Sequence, residues 1–333
     1  MNWSWKHAAL VLGSFVLLWV CLQATGIVPM TAAQGFFEQS MGSPRAWKGT
    51  FQEMMPLLLA GLAVFIALRA GLFNIGAEGQ IMVGALAAAA TALAMKSTLG
   101  GFLAIFAGLV AGALWALPAG LIKALRGGHE VIATIMLNNI AALFCLWMVK
   151  GVLRDPSQQS ATTAEIDKSS MLPDLINAGG FKLNWGIVIA LILVFAIGYW
   201  LRKTVAGYEL RAAGEAPKAA QFAGVNTKKT LIGSMLASGA ISGLTGAILV
   251  LASEHRFYGD FTAGYGFDAL GVALLAGSST LALIPSALLF AVIAKGTTGL
   301  ALMGVPKGMS SILLGIIIVV FASYRYRKVK NDG

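Results

Sequence analysis

A carboxylate and two amides stand where an apolar run should be: GLFNIGAEGQIMVG (71–84) contains Asn74, Glu78 and Gln80. A charged group inside a membrane is costly, so it faces a cavity, a partner or water. Glu78 and Gln80 therefore line a polar pathway, or Glu78 bonds to neighbouring backbone or to Arg69. Asn74 has the same choice between the pathway and capping the helix that follows. Gly71, Gly76, Gly79 and Gly84 in this stretch allow close helix packing. Asn138 and Asn139 lie inside IATIMLNNIAAL, where paired amides suit either a neutral polar solute or bonds between helices. In GYGFDALG (264–271), Asp268 can meet a solute, nearby backbone or a basic group. Tyr265 and Phe267 beside it offer an aromatic face to a flat ligand, or simply pack. Lys295, in AVIAKGTTG, reads as a helix break or a snorkelling side chain rather than part of a site.

A second polar stretch invites a partner. GYELRAAGEAPKAAQFAGVN (207–226) separates two long apolar segments and lies among Arg202, Lys203, Arg211, Lys218, Lys228 and Lys229. Such basic flanks mark the cytoplasmic side. Pro217 suits a first helical position and Gly224 the residue just past a helix end. Between them Ala219, Ala220, Phe222 and Ala223 form a small apolar surface, suited to a groove on another protein.

Other chemistries have no residues to carry them. The sequence has no GxxxxGK[ST] phosphate loop, no HExxH and no Cys/His ligand cluster, so neither a catalytic residue nor a metal or cofactor is expected here. ATP, if it is used, must be bound by another subunit. Cys21 and Cys145 both fall in apolar runs, and His7, His129 and His255 are scattered at segment edges.

The elements that position these groups follow from composition. Of 333 residues, 58% are hydrophobic and 11% charged, with a mean hydropathy of +0.79. Soluble domains carry about 25% charge, so the chain reads as an all-α integral membrane protein. The net charge of +10 sits at segment ends, which argues against nucleic acid. About ten transmembrane helices are expected, near 8–28, 54–69, 71–95, 101–125, 130–150, 185–201, 229–252, 264–278, 281–303 and 308–324. The first is expected to be retained, since no small-x-small cleavage site follows it. Residues 1–333 then form one transmembrane domain with both termini cytoplasmic. It includes a cytoplasmic segment at 205–228, an outer loop at 29–53 and an extracytoplasmic loop at 151–184 whose middle reads as a linker.

Parts of the sequence repeat in order. AEGQIMVGA (77–85) resembles ALGVALLAG (269–277), LPAGLI (117–122) resembles IPSALL (284–289), and VIATIMLNNI (131–140) resembles GMSSILLGII (308–317). On the topology above these would form an inverted repeat. Such repeats place a transport pathway at their interface, flanked by broken helices. A self-sufficient secondary transporter would use Glu78 and Asp268 as proton or cation sites, but it would not require the 207–226 segment.

The sequence also resembles a known family: permease subunits of bacterial ABC importers in the branched-chain amino acid/simple sugar permease superfamily. It is most similar to nucleoside permeases that work with basic-membrane-protein-type binding lipoproteins. GLFNIGAEGQIMVGA (71–85), HEVIATIMLNNIA (129–141), RAAGEAPKAAQFAGVN (211–226), GFDALGVALLAG (266–277) and GVPKGMSSILLGIII (304–318) carry the likeness. It implies a second permease, often a different polypeptide, two cytoplasmic ATPases that bind ATP and Mg, and an external binding protein, all at the bacterial inner membrane. It also makes 211–226 the coupling-helix region, with Glu209, Arg211, Gly214, Glu215, Pro217, Phe222 and Gly224 as coupling candidates. The implied cargo is a nucleoside, with a pentose or other simple sugar as the alternative. HEVI at 129–132 and AGSST at 276–280 depart from the usual pattern.

Overall fold

The computed structural model describes residues 28–178, 181–259, 261 and 264–303. Helices dominate: α1 (Pro29–Ser40), α2 (Pro44–Arg69), α3 (Ala77–Met95), α4 (Thr98–Arg126), α5 (Glu130–Lys150), α6 (Trp185–Lys203), α7 (Val205–Glu215), α8 (Pro217–Phe222), α9 (Thr227–Leu249), α10 (Tyr265–Ala276) and α11 (Leu283–Leu302). A short antiparallel hairpin, β1 (Asp174–Ala178) with β2 (Phe181–Asn184), precedes α6. Among the described residues seven helices are long and apolar enough to cross a membrane, and α10 is a shorter apolar helix. The expected spans at 8–28 (apart from Val28) and 308–324 lie outside the described residues.

Small residues let the centre close. α4 buries Gly101, Ala104, Gly108, Gly112, Ala116 and Ala119 along one face, and α9 buries Gly239, Gly243 and Gly246. Gly108/Gly112 and Gly239/Gly243 are four apart on facing helices, so the two backbones meet directly, with Gly84 of α3 against Gly243. Four-residue glycine spacing on both partners permits this approach. α2 is buried on nearly all sides from Met54 to Ala67. α4 and α5 turn Phe102, Phe106, Leu143 and Trp147 outward, a surface suited to hydrocarbon.

Two expectations about loops need correction. The 29–53 stretch is largely helical: α1 packs on α11, and α2 starts at Pro44, ten residues before the apolar run. The cause is local, because the Ser43 hydroxyl accepts from the Ala46 N–H at 3.1 Å and Pro44 occupies the first turn, a standard helix start. Residues 162–172 are not a linker either. Thr163, Ile166 and Leu172 donate backbone N–H bonds to the carbonyls of Phe257, His255 and Leu251 at 2.8–2.9 Å, and Ile166 is buried. Polar composition concealed an ordered flap. Within it Asp155 and Asp167 each accept from the hydroxyl and N–H of the serine two residues on, which holds both carboxyls below their usual range.

The bundle thus has two distinct ends. The flap lies at one, tied to the α3–α4 turn through Ser170, whose hydroxyl donates to the Ser97 carbonyl at 3.0 Å. The α7–α8 segment lies at the other, beside Arg69. Of the repeated blocks, LPAGLI falls in the last part of α4 whereas IPSALL lies in the first turns of α11, and GMSSILLGII lies outside the described residues.

Candidate functional site

The chain between α2 and α3 breaks helical geometry at Gly71, with φ +74°. It then runs through Leu72–Gly76 before α3 begins. Backbone groups released by such a break need partners, and the amides supply them. Asn74 and Gln80 exchange reciprocal side-chain bonds of 2.9 and 3.1 Å. Asn74 also donates to Ser238 at 2.8 Å and accepts from the Gly76 N–H at 3.1 Å, while Ser238 donates to the Ala63 carbonyl at 2.7 Å. From α5, Asn138 donates to the Ile75 carbonyl and accepts from the Gly79 N–H, both at 2.9 Å. The amide of Asn74 thus links the break to α9, and Asn138 links it to α5.

Glu78, in the first turn of α3, reaches another helix start. Its carboxylate accepts from the N–H of Gly266 at 2.6 Å, where α10 begins. Unpaired N–H groups and the helix dipole make such a position favourable for a carboxylate. The alternative partner Arg69 is engaged elsewhere, in a 2.9 Å ion pair with Glu215. The Glu53 carboxylate meets the same turn of α10, accepting from the Tyr265 hydroxyl at 2.9 Å, and pairs with Lys295 of α11 at 3.2 Å.

The sequence-derived candidates therefore separate. Asn74, Gln80 and Asn138 are occupied in internal bonds, and Glu78 joins two helix starts. Asn139 faces out of α5, with a 3.3 Å bond to the Ile135 carbonyl. Phe267 is 53% exposed, and the carboxylate of Asp268, half-buried beside it, makes no hydrogen bond or ion pair among the described residues. Asp268 is within electrostatic reach of Glu78 and Glu53. Lys295 neither breaks α11 nor stands alone. Glu53 was missed because it borders the apolar run and was counted with the outer loop. A lone lysine in a greasy helix was the available signal, since such a charge calls for a counter-charge.

The coupling candidates form a compact projection. Pro217 opens α8, and Gly224 follows its end with φ +88°. Gly214 packs on the backbone of Arg69, Ala70 and Gly71, so the projection rests on the same break that leads to Asn74. Ala220 and Val225 face inward, so Ala220 does not belong to the outer apolar surface. Ala219 and Ala223 do, and Phe222 is 93% exposed. Glu209 and Arg211 are half-buried along α7.

Comparison with known proteins gives these features a setting. The family described as branched-chain amino acid transport system / permease component matches residues 49–322. The nucleoside ABC transporter permease protein NupB of Lactococcus lactis subsp. cremoris is 32% identical, over 94% of this chain and 89% of the relative. The guanosine ABC transporter permease protein NupP of Bacillus subtilis is 37% identical over 85% and 84% respectively. The glucose ABC transporter permease protein TsgB13 of Haloferax volcanii is 30% identical over 97% and 88%. No solved structure matches the chain.

Proposed function

The chain belongs to the branched-chain amino acid transport system permease family and is a permease that passes through the membrane several times, and we propose that it imports a nucleoside as half of an ATP-driven translocation pathway. The observation carrying the ATP-driven reading is the α7–α8 projection. Phe222 is 93% exposed at the tip of a polar projection, and it stands on a segment braced against the α2–α3 break. An apolar anchor of this kind suits insertion into a pocket on a partner. In this reading the partner is an ATPase that binds ATP and Mg and performs the hydrolysis, while this chain carries no cofactor and catalyses no reaction. Glu209, Arg211, Gly214, Glu215, Pro217, Phe222 and Gly224 form the coupling surface.

The rest of the assembly follows the same reading. A second permease, a different polypeptide, completes the pathway, and an external binding lipoprotein delivers cargo to the flap end. The seven long helices, the short α10 as a broken span, and the spans at 8–28 and 308–324 make ten in one domain, arranged as an inverted repeat, with both termini in the cytoplasm of a bacterial inner membrane. α3 and α10 are its broken helices, and their starts meet at Glu78. Asn139, Phe267 and Asp268 line the pathway: a phenyl face and a carboxylate beside it suit a flat base and a ribose diol. Glu78 and the amides Asn74, Gln80 and Asn138 shape the wall behind them.

The cargo class rests on NupB and NupP. TsgB13 favours a second reading, in which the same machine moves a simple sugar. Uptake of labelled uridine and adenosine, in cells with and without the gene, separates the two. Loss of nucleoside uptake with the gene, insensitive to excess ribose or glucose, is the expected result. Unchanged nucleoside uptake with lost sugar uptake would transfer the assignment to sugars.

A further inference from the structure

Both oxygens of Glu53 are engaged, one by the Tyr265 hydroxyl at 2.9 Å and one by the Lys295 ammonium at 3.2 Å. This single carboxylate therefore joins α2, α10 and α11. Resting on the importer reading above, we propose that Glu53 and Lys295 are positioning residues for translocation, a latch that holds the start of α10 in place and must part in each transport cycle.

The first argument is the construction of α10. It has 12 residues, too few to cross a bilayer, and it lies between Gly264 at φ +95° and Gly277 at φ +70°. Left-handed glycines at both ends let the backbone pivot without forcing a Cβ into strain. The face α10 presents inward is small and smooth (Gly266, Ala269, Val272, Ala273 and Ala276), and Val272 rests on Gly61 of α2. Such a surface offers little to interlock. Its first turn is held by two polar contacts, Tyr265 to Glu53 and Gly266 to Glu78.

The second argument is energetic. Burying an ion pair between helices returns little net stability, and an apolar pair of similar volume often does as well or better. A pair kept there has to be justified by something other than stability. Within this chain the neighbours leave Glu53 18% and Lys295 30% uncovered, so neither charge is sealed in and each can exchange partners when the contact opens. That makes parting far cheaper than it would be for a sealed pair. An amide network has no such exchange available.

The test uses the complete complex in lipid nanodiscs: this chain, its partner permease and the ATPase, with and without uridine-loaded binding protein. The readout is the ratio of stimulated to unstimulated ATP hydrolysis, which a purely structural loss of yield does not change. Lys295→Met should raise the unstimulated rate several-fold and collapse the ratio. Tyr265→Phe, which keeps the ring and removes the bond, should move it the same way by less. The exchange Glu53→Lys with Lys295→Glu should recover part of the ratio. Wild-type ratios in both single variants, whatever their yields, would overturn the latch. A wild-type complex that its binding protein stimulates neither when loaded with uridine nor when loaded with glucose would overturn the importer reading first, and the latch with it.

Discussion

The starts of α3 and α10 are joined through Glu78 and Gly266, yet they are anchored by different chemistry. Around the start of α3, neutral groups close on one another: Asn74 with Gln80, Ser238 and Gly76, and Asn138 with Ile75 and Gly79. Around α10 the groups are carboxylates, a tyrosine and a lysine. Reciprocal amides satisfy each other in one geometry only, and each orphan left by a shift costs about 1–3 kcal/mol. Charged groups that their neighbours leave partly uncovered can exchange partners. On the latch proposal, the start of α3 is the fixed frame and the start of α10 is the part that moves.

Breaking the frame should have the largest effect. Asn74→Leu strands Gln80 and the Gly76 N–H in the bundle, so assembled protein should fall sharply. Thermal unfolding in detergent should reveal a loss of about 1–3 kcal/mol. If Asn74→Leu were as stable as wild type, the distinction between frame and mover would fail. Glu78→Gln tests the junction itself. An amide oxygen can still accept from Gly266 but loses the charge assistance, so stability should drop by about 1 kcal/mol or less. If the junction couples the two starts during transport, uptake should fall more than stability does; an equal fall in both would make the contact purely structural. The smallest change is expected for Asn139→Leu. This side chain makes one long bond and faces outward, so stability should hold within about 0.5 kcal/mol. A raised KM for uridine uptake would place it on the pathway, whereas unchanged KM would assign it to lipid or packing.

Much of this was readable from residues alone. Every expected span between 54 and 303 corresponds to a helix, since long apolar runs bounded by charges leave few alternatives. The short helix α8 was legible through Pro217 and Gly224, residues whose backbone preferences fix a helix between them. Ala220 was misplaced because a six-residue helix gives too little periodicity to tell its faces apart. The amide pair Asn138–Asn139 could not be divided by sequence: adjacent positions lie 100° apart on a helix, and only packing decides which one turns inward. Glu53 and Lys295 stand more than two hundred residues apart, so their pairing depends on α2 meeting α11. The Gly108/Gly112 and Gly239/Gly243 spacings stand in the sequence, and they let α4 and α9 meet backbone to backbone.

On the proposed function, ATP hydrolysis by a partner drives cargo through this chain by way of Phe222. Its most direct test is ATP-dependent uridine uptake into vesicles holding the full complex, with wild type compared against Phe222→Asp. Uptake should require ATP in the wild type and fall to background in the variant, with equal amounts of this chain in the membrane. Uptake that survives the substitution, or that continues in vesicles lacking the ATPase, would contradict it.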